Sequence, residues 1–282
     1  ATMGVECNMV LDTQGTVFQR CADVAATGRA TPGMRDGRHT IVRDRRQSVP
    51  AQHFTPRNSR GFRGRKAFPD LPHALRITFL NAEKGYERDE RLVADDGYAI
   101  DGKDAFGVAR PDLPEAEIFE TLELLGVTKA DQAWRHGRYM IAVARLRPEV
   151  YELTADFEAL ACERGDLVLV SHDVPMWGAG AGRIVRQVLD TDGNLVGLEL
   201  DDSVTMDAGQ QYCMRFRLAD GTSLLRPIVT AEGISTSVTL SQPIAAVDPR
   251  PAAGDLWMFG PVGLETRELL VKAIDIDRDL AA

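Results

Sequence analysis

The chain has 282 residues, a length that suits two or three compact units better than one. Hydrophobic residues make up 44% of it and charged residues 27%, a balance that excludes a disordered or fibrous chain. No apolar run approaches the roughly 18 to 20 residues that span a bilayer, and the first residues lack the basic flank and apolar core of a signal peptide. We therefore expect a folded protein that stays in the cytosol unless another component exports it.

The net charge of −9 conceals a basic segment at residues 35–66. Ten lysines and arginines stand there against two aspartates, so the rest of the chain carries about −17. Such a segment is typical of a solvated strand and loop surface, of a surface that binds the phosphates of DNA, or of an interface with an acidic protein. The sequence leaves these three possibilities open.

Four cysteines lie far apart in the chain: Cys7, Cys21, Cys162 and Cys213. They form no CxxC pair and have no couple of histidines nearby, so the spacing supports neither a zinc site nor a redox motif. We expect four buried free thiols.

Four residues with apolar side chains recur at helical spacing near the start of the chain: Val17, Cys21, Val24 and Ala25. They predict a short amphipathic helix over about 14–27 that ends at Gly28. Asp12 or Thr13 is the expected cap at its beginning.

The next signal is a turn, because Asp36-Gly37 separates two short extended runs and predicts a hairpin. Residues 48–72 are rich in proline, glycine and arginine, with isolated aromatics such as Phe54, Phe62 and Phe68 and no sustained period. We expect a long irregular crossing segment there. Helix, hairpin and crossing segment together form a predicted small α/β domain over 1–75.

A second predicted domain, 76–165, is a mixed β domain with one helix. Its first strand starts slightly earlier, over 74–80, and a charged loop is expected over 84–90. Thr128 and Asp131 form a capping-box pattern that opens a predicted helix. That helix runs to about Arg145 despite Gly137 in its interior, and Pro148 prevents its continuation. Alternating residues then predict a half-buried strand over 151–158.

The third predicted domain, 166–282, is all-β and barrel-like. Short strands are predicted at regular spacing: 166–170, 183–189, 195–200, 211–218, 223–229, 236–240, 255–259 and 267–276. The first of these, with Leu167 to Val170 all apolar, has the pattern of a strand buried on both faces. The overall expectation is a mainly β protein with a few helices, in the α+β class.

The chain shows no pattern that points clearly to catalysis. It lacks a G-x-S-x-G elbow, a P-loop, an H-E-x-x-H motif and a kinase signature. Five single histidines are scattered over different predicted elements and suit structural roles: His39, His53, His73, His136 and His172. The glycine-rich run at 178–182 precedes a predicted strand rather than a helix, so we expect a flexible loop and no dinucleotide site.

Paired acids at Asp95-Asp96 and Asp201-Asp202 are compatible with a glycan-cleaving cleft, but acidic turns explain them equally well. We therefore predict a protein that is not an enzyme, with no catalytic, cofactor-binding or metal-binding residue and no cofactor. A hydrolase remains one alternative, and nucleic-acid binding through residues 35–66 is the other.

Several separated blocks of the chain carry a family resemblance. The longest is RYMIAVARLRPEVY at 138–151, and the others lie, in chain order, at 52–59, 66–76, 81–86, 162–168, 171–174 and 216–221. Together they resemble the tip attachment protein J family, also called host specificity protein J, of long-tailed phages and prophages. The resemblance extends from about residue 12 to about residue 275.

This resemblance implies a structural subunit of the tail tip. Such a subunit is a trimeric central hub of barrel-like domains, similar to those of phage baseplate hubs, which closes the tail tube and supports attachment to the host. Its partners are other tail-tip and tail-tube proteins, its place is the virion tail after assembly in the bacterial cytoplasm, and DNA passes through its lumen. Family members are longer, so the chain is expected to be an internal piece or a truncated product.

Overall fold

The computed structural model describes residues 4–12, 14–35, 37–66, 71–175 and 177–275. Strands make up 44% of the structure and helices 13%, which confirms the expected mainly β class. Three predicted features fall outside the described residues: the alternative cap Thr13, the turn residue Asp36 and the aromatic Phe68. The last predicted strand, 267–276, is shorter than expected, because it ends at Leu270 and residues 271–275 are not in a strand.

Two α-helices and sixteen strands lie in the described part of the chain. The helices are α1 (Val17–Thr27) and α2 (Ala130–Leu146). The strands are β1 (Ala30–Arg35), β2 (Arg38–Arg43), β3 (Gln52–Phe54), β4 (Ser59–Lys66), β5 (Ala74–Asn81), β6 (Glu87–Ala94), β7 (Phe119–Glu123), β8 (Glu149–Ala155), β9 (Leu167–Val170), β10 (Gly180–Leu189), β11 (Leu195–Met206), β12 (Tyr212–Arg217), β13 (Ser223–Pro227), β14 (Gly233–Ile244), β15 (Leu256–Pro261) and β16 (Arg267–Leu270).

The chain forms two compact units, each made of two separate stretches. The first unit comprises Ala1–Asp44 and Gly64–Tyr151, and the second comprises Arg45–Arg63 and Glu152–Ala282. Strands β4 and β8 pair with each other, and each contains a point where the chain passes from one unit to the other. The division into three sequential domains stays a prediction.

The centre of the first unit is a three-stranded sheet in the order β6-β5-β7, with α2 against β5 and β6. Strand β5 pairs antiparallel with β6 and parallel with β7. Ile77 and Phe79 on β5, Val93 on β6 and Ile141 on α2 meet in its core. The apolar periods of the strand over 74–80 and of the helix up to Arg145 therefore face one another, as amphipathic elements require.

The predicted capping box does not form at the start of α2. The helix begins after Lys129, and no side chain there bonds a free N–H group. Thr128 Oγ1 instead accepts a hydrogen bond from Asn8 Nδ2 at 3.1 Å. The threonine is therefore used in a contact between distant segments rather than in a local cap, which the local pattern alone does not reveal.

Close packing explains the glycine inside α2. A Cβ atom at Gly137 would lie 2.4 Å from Ile77 Cδ1 and 2.9 Å from Val93 Cγ2, both buried in the core. Glycine costs roughly 1 kcal/mol in a helix interior relative to alanine, yet here it lets the helix approach the sheet. The close contact between α2 and the sheet of the first unit therefore depends on glycine at position 137.

We expect Gly137→Leu to lower the free energy of unfolding of the first unit by about 1 to 3 kcal/mol, because it overpacks this contact. Gly97→Leu is the matched control, since a Cβ atom at Gly97 meets nothing within 4 Å. Chemical denaturation followed by circular dichroism measures both variants. Equal midpoints for the two variants would contradict the packing role of Gly137.

The predicted helix and hairpin at the start of the chain are confirmed. Helix α1 begins after Thr16, whose Oγ1 accepts from Gln19 N at 3.2 Å, and its end is capped by Gly28. Strands β1 and β2 pair antiparallel with Arg35 opposite Arg38. The cap is thus neither Asp12 nor Thr13, because the helix begins three residues later than expected.

The second unit contains a six-stranded sheet in the order β13-β12-β15-β10-β11-β14, curled into a half-barrel. Its two edge strands approach each other at one isolated bridge between Ile228 and Leu240. Trp257, Phe216 and Phe259 are fully buried in its core. The regular spacing of short strands therefore predicted the class of this unit correctly.

A second sheet of this unit has the order β16-β9-β3, with β9 in the middle. All four residues of β9 are buried, which confirms the expectation of a strand covered on both faces. Strand β3 pairs parallel with β9, and β16 pairs antiparallel. Phe54 and Val170 belong to the small core around this sheet.

Four further local expectations were wrong. Residues 48–72 are not irregular, because they contain β3 and β4, and the loop expected over 84–90 is a short 3-10 helix (Ala82–Lys84) followed by β6. The strand expected over 151–158 ends at Ala155 and continues as a 3-10 helix, Phe157–Ala161. Strand β7 was not predicted at all. Charged β6 is an edge strand with solvent access, so its sequence lacks the alternation that identifies half-buried strands.

Candidate functional site

A cleft of about 500 Å³ lies in the second unit, beside the start of β10. It is lined by Pro56, Ser171, His172, Asp173, Trp177, Gly178, Ala179, Gly180, Ala181, Pro261 and Leu264. Apolar side chains and backbone form most of these walls. The cleft joins two features of the sequence, the SHDV block at 171–174 and the glycine-rich run at 178–182.

The glycine-rich run is not a loop throughout, because β10 already begins at Gly180. Gly182 lies opposite Trp257 on β15, and a Cβ atom there would come within 2.8 Å of the indole ring. A Cβ atom at Gly180 would lie 3.4 Å from the same ring. Glycine at these two positions therefore leaves room for the indole ring of Trp257 to pack against the strand.

Ser171, His172 and Asp173 together have the residue types of a catalytic triad, but the geometry does not form one. Ser171 Oγ donates to the backbone oxygen of Trp177 at 3.0 Å instead of meeting the imidazole. His172 Nδ1 lies 2.7 Å from Asp173 Oδ1, and the imidazole stacks on Phe62 with centroids 4.4 Å apart. A triad needs the base within reach of the nucleophile, so these residues serve the turn that lines the cleft.

The paired acids form ion pairs with arginines rather than facing each other across a cleft. Asp95 and Asp96 both bind Arg145, at 3.0 and 3.3 Å. Asp201 and Asp202 both bind Arg57, at 3.3 and 3.4 Å. Such pairs neutralise the carboxylates within a surface network, which is a structural arrangement. The glycan-hydrolase alternative therefore gains no support from them.

The basic residues of segment 35–66 lie on the hairpin, on β4 and in the stretch between them, and each one that the structure describes is exposed, whereas β3 within the same segment is buried. Arg60 pairs with Asp156 at 3.3 Å, and Lys66 pairs with Glu149 at 3.6 Å. Arg63 and Arg65 form no ion pair with another described residue and face solvent. Part of the segment thus stabilises the β4–β8 ribbon, and part of it remains available to an acidic partner.

A comparison with protein-family models finds a family that matches the chain. The model of the family described as "Putative phage tail protein" matches residues 34–187, more than half of the chain. The chain belongs to this phage tail protein family. A comparison with curated proteins finds no match.

Membership of the family gives the protein a structural role in a phage tail, as a component of the virion that associates with other tail proteins. Within the described ranges, no group of three or more histidine, cysteine, aspartate or glutamate side chains is arranged to hold a metal ion. No helix in the same part of the tail protein is long and apolar enough to cross a membrane.

The cysteines of the tail protein divide into two kinds. Cys162 and Cys213 are buried free thiols as expected, and burial raises the pKa of each to about 11. Thiols with this pKa stay protonated near neutral pH and are poor nucleophiles. Cys7 and Cys21 are exposed, contrary to expectation, since the segment that carries them has little core around it.

An unpredicted buried network lies near the far end of β15. Glu265 is buried and binds Arg215 at 2.8 Å, while its other oxygen accepts from Gly263 N at 3.0 Å. Burial would raise the pKa of Glu265, but the hydrogen bond from Arg215 and further hydrogen bonds hold it below its usual value. The carboxylate therefore stays ionised inside the second unit. A single glutamate between leucine and threonine gives no local signal of this role.

His53 is a buried histidine on β3 whose Nε2 has no hydrogen-bond partner in the described structure. Burial, with the nearby charges of Arg215 and Arg217, lowers its pKa from 6.5 to about 4. In the unfolded chain the imidazole takes up a proton as the pH falls below about 6.5, whereas in the folded chain it does so near 4. Protonation in this window therefore favours unfolding.

We expect the second unit to lose stability as the pH falls from about 6.5 to about 4, by up to about 1.4 kcal/mol per pH unit from this one proton. His53→Leu should remove that part of the slope, and His39→Leu, at an exposed position, should not. Urea denaturation at a series of pH values measures how the free energy of unfolding of each variant depends on pH. A slope that His53→Leu leaves unchanged would contradict the assignment.

Proposed function

We propose that this phage tail protein is a subunit of the central hub at the tail tip, which closes the tail tube and supports attachment to the host. The family match supports the tail role in this proposal, and its range, residues 34–187, covers parts of both compact units and most of the first strand of the half-barrel. The resemblance of the blocks around 138–151 and 162–174 to tip attachment proteins supports the tip as the place of this chain within the tail.

The charge distribution supports a position around a channel that passes DNA. Outside residues 35–66 the chain is strongly acidic, and an acidic wall does not retain the phosphates of DNA that moves along it. In the proposed assembly three copies surround the lumen, other tail proteins bind above and below them, and no copy has a catalytic role. The buried pair of Glu265 with Arg215 and the packed half-barrel core suit a scaffold that is loaded mechanically.

Deletion of the encoding gene from its phage or prophage tests the proposal. Particles that lack the chain should have no closed tip and should fail to adsorb to host cells, and expression of the chain with its natural flanking sequence in trans should restore both. Electron microscopy and an adsorption assay are the readouts. Normal tips and normal adsorption without the gene would overturn the proposal.

Nucleic-acid binding is the second candidate, favoured by the exposed Arg63 and Arg65 on β4. Binding through phosphates would weaken steeply as salt increases. A gel-shift assay at low salt with duplex DNA distinguishes the two functions, because a hub with an acidic lumen should form no complex. A salt-sensitive complex that is lost in the Arg63→Glu, Arg65→Glu variant would support the second candidate.

A further inference from the structure

The helix–hairpin, defined as residues 14–43 with α1, β1 and β2, has hardly any core of its own. Among its described residues only Ala25 and Thr27 are buried. Five large apolar side chains are exposed instead: Val17, Phe18, Val24, Met34 and Ile41. The apolar pattern that predicted an amphipathic helix is therefore real, but the rest of the described chain covers this face only at Ala25.

The exposed apolar residues are ordered along both elements. Val17, Cys21 and Val24 follow the spacing of one helix face on α1. On the hairpin, Met34 lies opposite His39 and Ile41 lies opposite Pro32, so Met34 and Ile41 share one face of the ribbon. Contiguous apolar faces on a folded element mark a surface that another chain covers.

Polar contacts hold the helix–hairpin to the rest of the first unit. Asp44, the residue that follows β2, accepts hydrogen bonds from Tyr139 at 2.5 Å and from Arg147 at 2.8 Å. The guanidinium of Arg29 lies 4.7 Å from the centre of the Tyr139 ring. These contacts fix the base of the element without using its apolar faces, so the surface is ordered before a partner binds.

Charge indicates which partner fits. The helix–hairpin carries five arginines against two aspartates. A second surface of the same unit, the acidic segment at residues 101–123, carries seven acids against two basic residues. The acidic segment also exposes three large apolar side chains: Phe106, Val108 and Ile118. The two surfaces are complementary in sign, and each offers apolar side chains that the other can cover.

We propose that the helix–hairpin of one copy docks onto the acidic segment of a second copy. The contact joins two different surfaces, so it is heterologous and can close into a ring. The inference rests on the proposed hub function in that it names the surfaces through which copies of the hub subunit meet. Apolar side chains form the centre of the contact, and arginines and carboxylates form its rim.

Phe18→Asp tests the apolar centre. Phe18 is 61% exposed, so the substitution should leave the fold and its melting curve unchanged. Self-association of the purified chain, measured by sedimentation velocity over a concentration series, should weaken at least about tenfold. Phe157→Asp is the matched control, at an exposed phenylalanine of the second unit, and should change nothing. A wild-type chain that stays monomeric, or equal association of the two variants, would overturn the proposal.

Charge reversal tests the choice of partner surface. Arg38→Glu with Arg43→Glu, and separately Glu117→Arg with Glu120→Arg, should each weaken self-association about tenfold. One chain that carries all four substitutions should associate again, because both sides of the contact are reversed. Absence of rescue would show that these two surfaces do not meet. In that case the proposed docking fails, while the deletion phenotype of the hub would be unaffected.

Discussion

Trp257→Ala should lower the free energy of unfolding of the second unit by about 3 to 5 kcal/mol. Trp257 is fully buried on β15, between β10 and β12, and packs across Gly180 and Gly182. Its Nε1 has no hydrogen-bond partner in the described structure, so its contribution is packing. Removal of the ring leaves a cavity beside two glycines that have no side chain to fill it.

Chemical denaturation followed by tryptophan fluorescence is unsuitable for this variant, so the unfolding curve should be measured by circular dichroism. Phe157→Ala is the control, because Phe157 is 78% exposed in the same unit and its removal should cost almost nothing. The unfolding midpoint of Trp257→Phe should lie between those of Trp257→Ala and Phe157→Ala. A midpoint for Trp257→Ala equal to that of Phe157→Ala would contradict the packing described for the half-barrel.

Glu265→Gln should lower the free energy of unfolding of the second unit by about 3 kcal/mol. The substitution leaves the partly buried guanidinium of Arg215 without its carboxylate partner. The amide keeps the size of the side chain, so the effect isolates charge. Arg215 lies on β12, between β13 and β15 of the half-barrel sheet, and Glu265 lies in the connection from β15 to β16, so the pair ties this connection to the half-barrel sheet.

Glu199→Gln is the matched control for this pair. Glu199 forms a two-point ion pair with Arg186 on the surface, where solvent screens the interaction, so its loss should leave the unfolding midpoint unchanged. The double variant Glu265→Gln, Arg215→Met should recover part of the lost stability, since no unpaired buried charge remains. Equal effects of the Glu265 and Glu199 substitutions would refute a buried role for the first pair.

Elements with a strong local pattern were predictable from the sequence. The period of α2 and the proline at 148 gave a helix that ends at Leu146, and four consecutive apolar residues gave the doubly buried strand β9. Strand β4 was missed because Gly61 adopts a positive φ of 65°, which interrupts the alternation of side chains along the strand. Strand β3 was missed because it buries the polar residues Gln52 and His53.

Features that depend on distant segments were not predictable. The need for glycine at 180 and 182 comes from Trp257, more than seventy residues later in the chain. The role of Glu265 depends on Arg215, and the exposure of apolar residues on α1 depends on which of them the other described segments cover. Periodicity indicates that a face is apolar, but only tertiary contacts decide what buries it.

Cryo-electron microscopy of intact tails is the most direct test of the proposed hub. A reconstruction of the distal end should contain three copies of this chain around the tail axis, with the helix–hairpin of each copy against residues 101–123 of the next. Density for the chain along the tube or at the head-proximal end, with none at the tip, would contradict the account.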